Sequence, residues 1–129
     1  MTHIFITFCF AVILVSCQKI EGVGGTSTIT GKVIMQEIDN QGNVFQEYGA
    51  MKEDVFIIYG SDSTYSDNMN THYDGSFRFQ YLYQGQYTLY TYSECQLCFG
   101  QLEPILVTVE IAGNRNSVEA PVIYIKKYL

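Results

Sequence analysis

Polar and apolar residues alternate along most of this chain with a period close to two. Residues 86–93, for example, place Tyr87 and Leu89 on the side opposite to Tyr90. Successive side chains of a β-strand point to opposite faces, whereas an amphipathic helix repeats about every 3.6 residues. The chain is also rich in Tyr, Val, Ile, Thr and Phe, the residue types that suit strands. We therefore predict an all-β fold.

Clusters of turn-forming residues divide this pattern into short segments. Asp74-Gly75 separates two apolar runs, and residues 40–43 and 113–116 have similar Asn- and Gly-rich compositions. Residues 54–59 are apolar on both faces, which is typical of a strand inside a sheet. Seven or eight short strands with regular turns predict a β-sandwich. The predicted strands are 27–35, 44–48, 54–59, 69–73, 76–82, 86–93, 105–111 and 118–126.

The region from residue 27 to 111 carries a distinctive pattern of apolar, glycine and turn residues. It consists of Ile29, Gly31, Val33, Thr71, Asp74, Gly75, Phe77, Phe79, Leu82, Gly85, Tyr87 and Leu89. This pattern resembles that of carboxypeptidase regulatory-like domains. The resemblance implies an Ig-like or transthyretin-like β-sandwich of seven strands with an accessory, non-catalytic role. On physical grounds, Phe77 and Phe79 should fill the core, and Tyr87 should bury its ring and hydrogen-bond nearby backbone through its hydroxyl group.

The N-terminal segment has a different character. Residues 4–15 are apolar except for Thr7. This apolar run is too short for a transmembrane helix but matches the central region of a signal peptide. The following Leu14-Val15-Ser16-Cys17 resembles the lipobox of bacterial lipoproteins, whose Cys is lipidated after cleavage. We therefore expect a signal peptide at 1–16, lipidated Cys17 with a flexible tether at 17–26, and the sandwich at 27–129. Gln18 is not the Asp that signals inner-membrane retention in better-known lipoproteins, which favours the outer membrane.

The charge and composition exclude some functions. The formal net charge is −6, and the longest run of basic residues is the pair Lys126-Lys127. An acidic chain of this kind repels phosphate backbones, so nucleic-acid binding is not expected. The sequence has no strand–turn–helix nucleophile elbow that could place a nucleophile beside His72, so we expect neither an enzyme nor a cofactor.

Cys95 and Cys98 form a Cys-x-x-Cys motif with three possible interpretations. In an oxidising envelope the pair favours a disulfide that closes a short loop. Alternatively, the two thiols are half of a zinc site, for which His72 and Glu94 are the candidate additional ligands. A redox pair is the third alternative, although it would need a helix N-terminus that the sequence does not predict.

Four tyrosines could form a ligand-binding surface. Tyr81, Tyr83, Tyr90 and Tyr92 are expected on or near adjacent strands, with several of the rings pointing away from the core. Exposed aromatic rings can stack on sugars or contact proteins. Cross-strand pairing that only stabilises the outer face is the alternative. We expect a non-catalytic envelope lipoprotein with an interaction or structural module. A carbohydrate-binding lipoprotein is the alternative, and a metal or thiol protein centred on Cys95 and Cys98 is a weaker one.

Overall fold

The computed structural model describes residues 20–129, so Cys17 and the predicted signal peptide lie outside the described residues. This part of the chain folds into nine strands and one short 3₁₀ turn at Phe99–Gln101. Its residues include no helix long and apolar enough to span a bilayer. The strands are β1 (Val23–Ile38), β2 (Val44–Gly49), β3 (Asp54–Tyr59), β4 (Asp67–Asn70), β5 (Ser76–Leu82), β6 (Gly85–Glu94), β7 (Leu102–Ile111), β8 (Ser117–Glu119) and β9 (Ile123–Tyr128).

The strands form two sheets. In the first, the long strand β1 pairs with β5 and β2 along one side and with β8 and β9 along the other. The second has the order β4-β3-β6-β7, with every neighbouring pair antiparallel. The predicted all-β sandwich is therefore confirmed. Strand β3 lies between two neighbours, as its apolar faces predicted.

Alternate residues from both sheets fill the space between them. Ile29 and Val33 of β1 and Val55 and Ile57 of β3 are completely buried. Phe77 and Phe79 are also buried, and their rings meet edge to face with centroids 6.0 Å apart. Burying side chains of this size contributes about 1.5–3 kcal/mol each. The core therefore follows the alternation in the sequence.

The predicted strand boundaries differ from the structure mainly at the two ends of the domain. Residues 54–59 and 76–82 match β3 and β5. The predicted last strand, 118–126, is instead divided into β8 and β9, since Pro121 lacks the N–H group that a continuous ladder needs. Nine strands thus replace the expected seven or eight.

Residues 20–26, the described part of the expected tether, also differ from the expectation. Strand β1 begins at Val23, and Gly22 is buried. The Gly22 N–H group donates a 3.0 Å hydrogen bond to the hydroxyl oxygen of Tyr87, and the hydroxyl group itself donates to the Tyr83 carbonyl at 2.7 Å. The Tyr83 N–H group in turn donates to the Gly22 carbonyl at 2.9 Å. The expected corner role of Tyr87 is confirmed, and it holds residues 22 and 23 against the sandwich.

Candidate functional site

Four aromatic rings form a continuous cluster on the outer face of the second sheet. Phe56 of β3 stacks on Tyr90 of β6, with ring centroids 5.0 Å apart and planes 18° apart. Tyr65, from the β3–β4 loop, meets Phe56 edge to face at 5.0 Å. Tyr92 makes edge-to-face contacts with Tyr90 at 5.8 Å and with Phe56 at 6.0 Å. We call Phe56, Tyr65, Tyr90 and Tyr92 the aromatic cluster.

The cluster is only partly covered. Tyr65 and Tyr92 keep 52% and 45% of their surface exposed, whereas Phe56 and Tyr90 are half-buried. Burial, and then the neighbouring Tyr92 and Tyr65, raise the pKa of the Tyr90 hydroxyl above its usual 10.0. The Tyr90 hydroxyl group is therefore neutral near neutral pH and can donate a hydrogen bond.

A shallow cleft of about 250 Å³ lies beside the aromatic cluster. Hydroxyl groups, tyrosine rings and aliphatic side chains form its walls. No carboxylate, histidine or thiol is among its lining residues, so the cleft offers stacking surfaces and hydrogen-bonding groups without an acid–base pair. The lining residues are Ile58, Ser63, Thr64, Tyr65, Tyr90, Tyr92, Pro104 and Leu106.

The structure brings together only two of the four tyrosines singled out in the sequence. Tyr90 and Tyr92 belong to β6 in the second sheet. Tyr81 belongs to β5 in the first sheet, and Tyr83 lies in the connection between the two strands. The Tyr83 ring lies close to Gly24 at the start of β1. Because β5 and β6 are consecutive in sequence but belong to different sheets, a single face of four tyrosines does not form.

A local backbone feature explains the exposure of Tyr81. The alternation in residues 76–82 places Tyr81 on the same side as Phe77 and Phe79, yet its side chain is 67% exposed. Tyr81 has a φ of 61°, in the left-handed region, and the pairing of β5 with β1 shifts register at Leu82. This irregularity interrupts the alternation, so Leu82 takes the buried position instead.

Cys95 and Cys98 lie at the tip of the β6–β7 hairpin. They are joined by a disulfide, with their Cα atoms 5.4 Å apart. Glu103 is the third member of a potential metal-binding group there, and its carboxylate is 3.8 Å from the Cys98 sulfur. The expected additional ligands His72 and Glu94 do not belong to this group. With both sulfurs in the disulfide, the tip offers no thiolate to a metal.

Sequence reasoning missed two members of the aromatic cluster. Phe56 had a usable signal, since residues 54–59 are apolar on both faces and one face of a sandwich strand must point outward. Tyr65 had no comparable signal, because it lies in the polar segment between β3 and β4. Only the folded loop brings its ring to within 5.0 Å of Phe56.

Comparisons with known proteins add a similarity of overall structure. No protein-family model and no curated protein sequence matches this chain. Among solved structures, the chain is similar to a crystal structure of a Pseudomonas aeruginosa protein described as a proposed carbohydrate-binding protein. The two are 11% identical and superpose with a TM-score of 0.49, over 87% of this chain and 92% of the other.

Proposed function

We propose that this chain is a non-catalytic lipoprotein of the bacterial cell envelope whose β-sandwich acts as an interaction module. The apolar segment 4–15 and the lipobox-like tetrapeptide ending at Cys17 support lipid anchoring. Gln18 after the lipidated cysteine favours the outer membrane. Two or more acyl chains on Cys17 would give a stable anchor, at about 0.8 kcal/mol for each buried methylene.

The observation that carries the interaction role is the partly exposed aromatic cluster beside a shallow cleft. Aromatic side chains on a rigid sheet can bury a large area on binding at little cost in conformational entropy. The edge-to-face contacts of Tyr92 with Phe56 and Tyr90 restrict its ring, so its position is set before any ligand arrives. The absence of acid–base groups from the cleft lining supports binding rather than reaction.

The position of the cleft suits a protein anchored at Cys17. Glu21 lies next to Gly85, where β6 begins. Tyr92 follows Gly85 by seven residues along the same strand, which corresponds to about 23 Å. An anchor near the N-terminus would therefore hold the cleft at a distance from the membrane surface, where a ligand can reach it.

A second, more specific candidate function is carbohydrate binding, because the cleft suits this class of ligand. Sugar rings present apolar C–H faces that stack on aromatic rings, together with hydroxyl groups that need hydrogen-bonding partners. Tyr65 and Tyr92 supply half-exposed rings, and Ser63 and Thr64 supply hydroxyl groups at the edge of the same cleft. Both parts of a sugar would therefore find partners within the cleft.

A glycan array with matched variants tests this candidate. Tyr92→Ala should abolish glycan binding, since it removes one wall of the cleft. Tyr124→Ala is the control, because Tyr124 is exposed to a similar extent, 48% against 45%, but belongs to β9 in the other sheet. Equal binding by the wild type and Tyr92→Ala, or equal loss in both variants, would contradict the assignment of the cleft.

The anchor is tested by labelling cells with a clickable fatty acid. The wild-type chain should incorporate the label and fractionate with the outer membrane. Cys17→Ser should lose both properties while its sandwich still folds, as circular dichroism of the purified protein would report. Label in the Cys17→Ser variant, or none in the wild type, would contradict the lipoprotein assignment.

A further inference from the structure

Strand β7 forms an open edge of the second sheet. It is the last strand in the order β4-β3-β6-β7 and pairs with β6 along all ten of its residues. Edge strands of this length leave a row of backbone N–H and C=O groups that can pair with another extended chain. Pro104 lacks an N–H group, so it blunts the beginning of this edge.

The hydrogen-bond register shows which groups of β7 face outward. The Gly60 N–H group donates to the Gln86 carbonyl, continuing the β3–β6 ladder, so even-numbered residues of β6 point their backbone groups toward β3. Odd-numbered residues of β6 consequently point toward β7, and Leu89 pairs with Val107 there. The backbone groups of the even-numbered residues of β7 are then directed away from the sheet. They belong to Leu102, Leu106, Thr108 and Glu110, together with the Pro104 carbonyl.

The apolar side chains of β7 are incompletely covered on both faces. Leu102 and Leu106 are 53% and 56% exposed on the outer face. On the inner face, Ile105 and Val107 pack against the core but are only half-buried. A strand added beside β7 would cover apolar surface on both faces as well as pair the backbone groups. A ligand lying only on the outer face would not do this.

The charges of the second sheet indicate what such a strand should carry. Its four strands contain acidic residues and no Lys, Arg or His. Two of the carboxylates, Glu103 and Glu110, lie on β7 itself. A second copy of this chain would bring an equally acidic sheet to the same edge, whereas a basic segment would be attracted to it. The acidic residues of the sheet are Asp54, Asp67, Glu94, Glu103 and Glu110.

We propose that the open edge of β7 binds an extended, basic segment of a partner protein as an added β-strand. Backbone hydrogen bonds at Leu106, Thr108 and Glu110 would hold the segment, and the carboxylates would select basic side chains. The proposal rests on the role as an interaction module and names a class of partner for it. It uses the backbone edge of β7 rather than the aromatic rings. The two sites share Pro104 and Leu106, so they are tested separately at Tyr92 and Thr108, each of which belongs to only one of them.

Peptide binding to the purified full chain provides the test. The probe is a fluorescein-labelled peptide of alternating Lys and Val, with a peptide of alternating Glu and Val as the charge control. Fluorescence anisotropy should detect binding of the Lys–Val peptide and not of the Glu–Val peptide. An N-methylated Lys–Val peptide keeps its charge but cannot donate backbone hydrogen bonds. Its affinity should be lower than that of the unmethylated peptide by at least about tenfold. Equal binding of the methylated and unmethylated peptides would overturn the strand-addition geometry.

Variants at Thr108 then locate the site. Thr108→Pro should weaken binding of the Lys–Val peptide about tenfold, since it removes an outward N–H group, whereas Thr108→Ala should not. The ladder to β6 does not use this N–H group, and circular dichroism will show whether the proline variant folds. Tyr92→Ala should leave peptide binding intact, so failure of the glycan candidate does not imply failure of this one. Unchanged peptide binding by a folded Thr108→Pro variant would overturn the proposal.

Hydrogen exchange in the wild-type protein gives a readout that needs no variant. The amides of Leu106 and Thr108 should exchange fast in the free protein, while those of Val107 and Val109, which pair with β6, should exchange slowly. Adding the Lys–Val peptide should slow exchange at Leu106 and Thr108. Slow exchange at these residues in the absence of peptide, together with a dimeric sedimentation coefficient, would assign the edge to a second copy and overturn the proposal.

Discussion

Tyr87→Phe removes one oxygen atom from the centre of the contact that holds the start of β1. The Tyr87 hydroxyl group donates to the Tyr83 carbonyl at 2.7 Å and accepts from the Gly22 N–H group at 3.0 Å. The Tyr87 ring is 1% exposed, and Phe can occupy the same space. The substitution therefore tests the two hydrogen bonds without leaving a large cavity.

The expected loss follows from these two contacts. Each hydrogen bond contributes a net of about 0.5–1.5 kcal/mol, and the buried Gly22 N–H group would be left without its partner. We expect the free energy of unfolding to fall by about 2 kcal/mol. For a domain of this size, at about 4 °C per kcal/mol, the melting temperature should fall by about 8 °C.

Urea denaturation and calorimetry of Tyr87→Phe would measure the loss, and Tyr59→Phe supplies the matched control. The Tyr59 ring packs edge to face against Tyr87, with centroids 5.8 Å apart, but its hydroxyl group makes no hydrogen bond within residues 20–129. Tyr59→Phe should therefore change stability by less than about 0.5 kcal/mol. Equal effects of the two substitutions would show that the corner hydrogen bonds do not hold the N-terminal segment.

Three further predictions concern the core, a partly buried carboxylate and the disulfide. Gly31→Ala should destabilise the fold by about 1–3 kcal/mol in urea denaturation, since the added methyl group would overlap the Phe77 ring. Glu53→Gln should raise stability at neutral pH, because burial raises the pKa of the Glu53 carboxyl group in the folded state; this gain should disappear as the pH falls below the ordinary value of 4.5. Replacing Cys95 and Cys98 by Ser should cost about 2 kcal/mol or less, with faster hydrogen exchange confined to the hairpin tip.

The predictions for Gly31 and Glu53 each have a matched comparison. Gly113→Ala should be nearly neutral, since its nearest neighbour would be in ordinary contact. Asp74→Asn should show the opposite pH dependence to Glu53→Gln, because hydrogen bonds from Ser76 lower the pKa of Asp74. Its destabilisation should be present at neutral pH and lost as the pH falls through that lowered pKa. The same sign for both carboxyl variants, or global unfolding after removal of the disulfide, would contradict the reasoning.

The sequence predicted those parts of the fold that depend on local pattern. Strand β5 was predicted with its observed boundaries, and the Asp74-Gly75 turn precedes it as expected. The Asp74 carboxylate accepts hydrogen bonds from the Ser76 N–H and hydroxyl groups in that turn. Strand β1 is longer than predicted, since Gly22 and Val23 carry no periodic signal and are held by contacts with β5 and Tyr87.

The candidate site divides in the same way. Alternation correctly placed Tyr90 and Tyr92 opposite the buried Tyr87, because neighbouring side chains of a strand point to opposite faces. It could not predict that the chain changes sheets between β5 and β6, which separates Tyr81 from them. Nor could it predict that Tyr65, which lies in a loop, belongs to the aromatic cluster.

The sequence by itself therefore determined the all-β class, the alternating core and the strong turns, since these follow from side-chain direction and backbone preference within a few residues. The tertiary structure alone decided which strands share a sheet, which rings form the aromatic cluster and which edge stays open. Those outcomes depend on contacts between residues far apart in the chain. Glu103 and Glu110 show this most clearly. They are ordinary acidic residues in the sequence, and they lie at an open edge only because β7 is the last strand of its sheet.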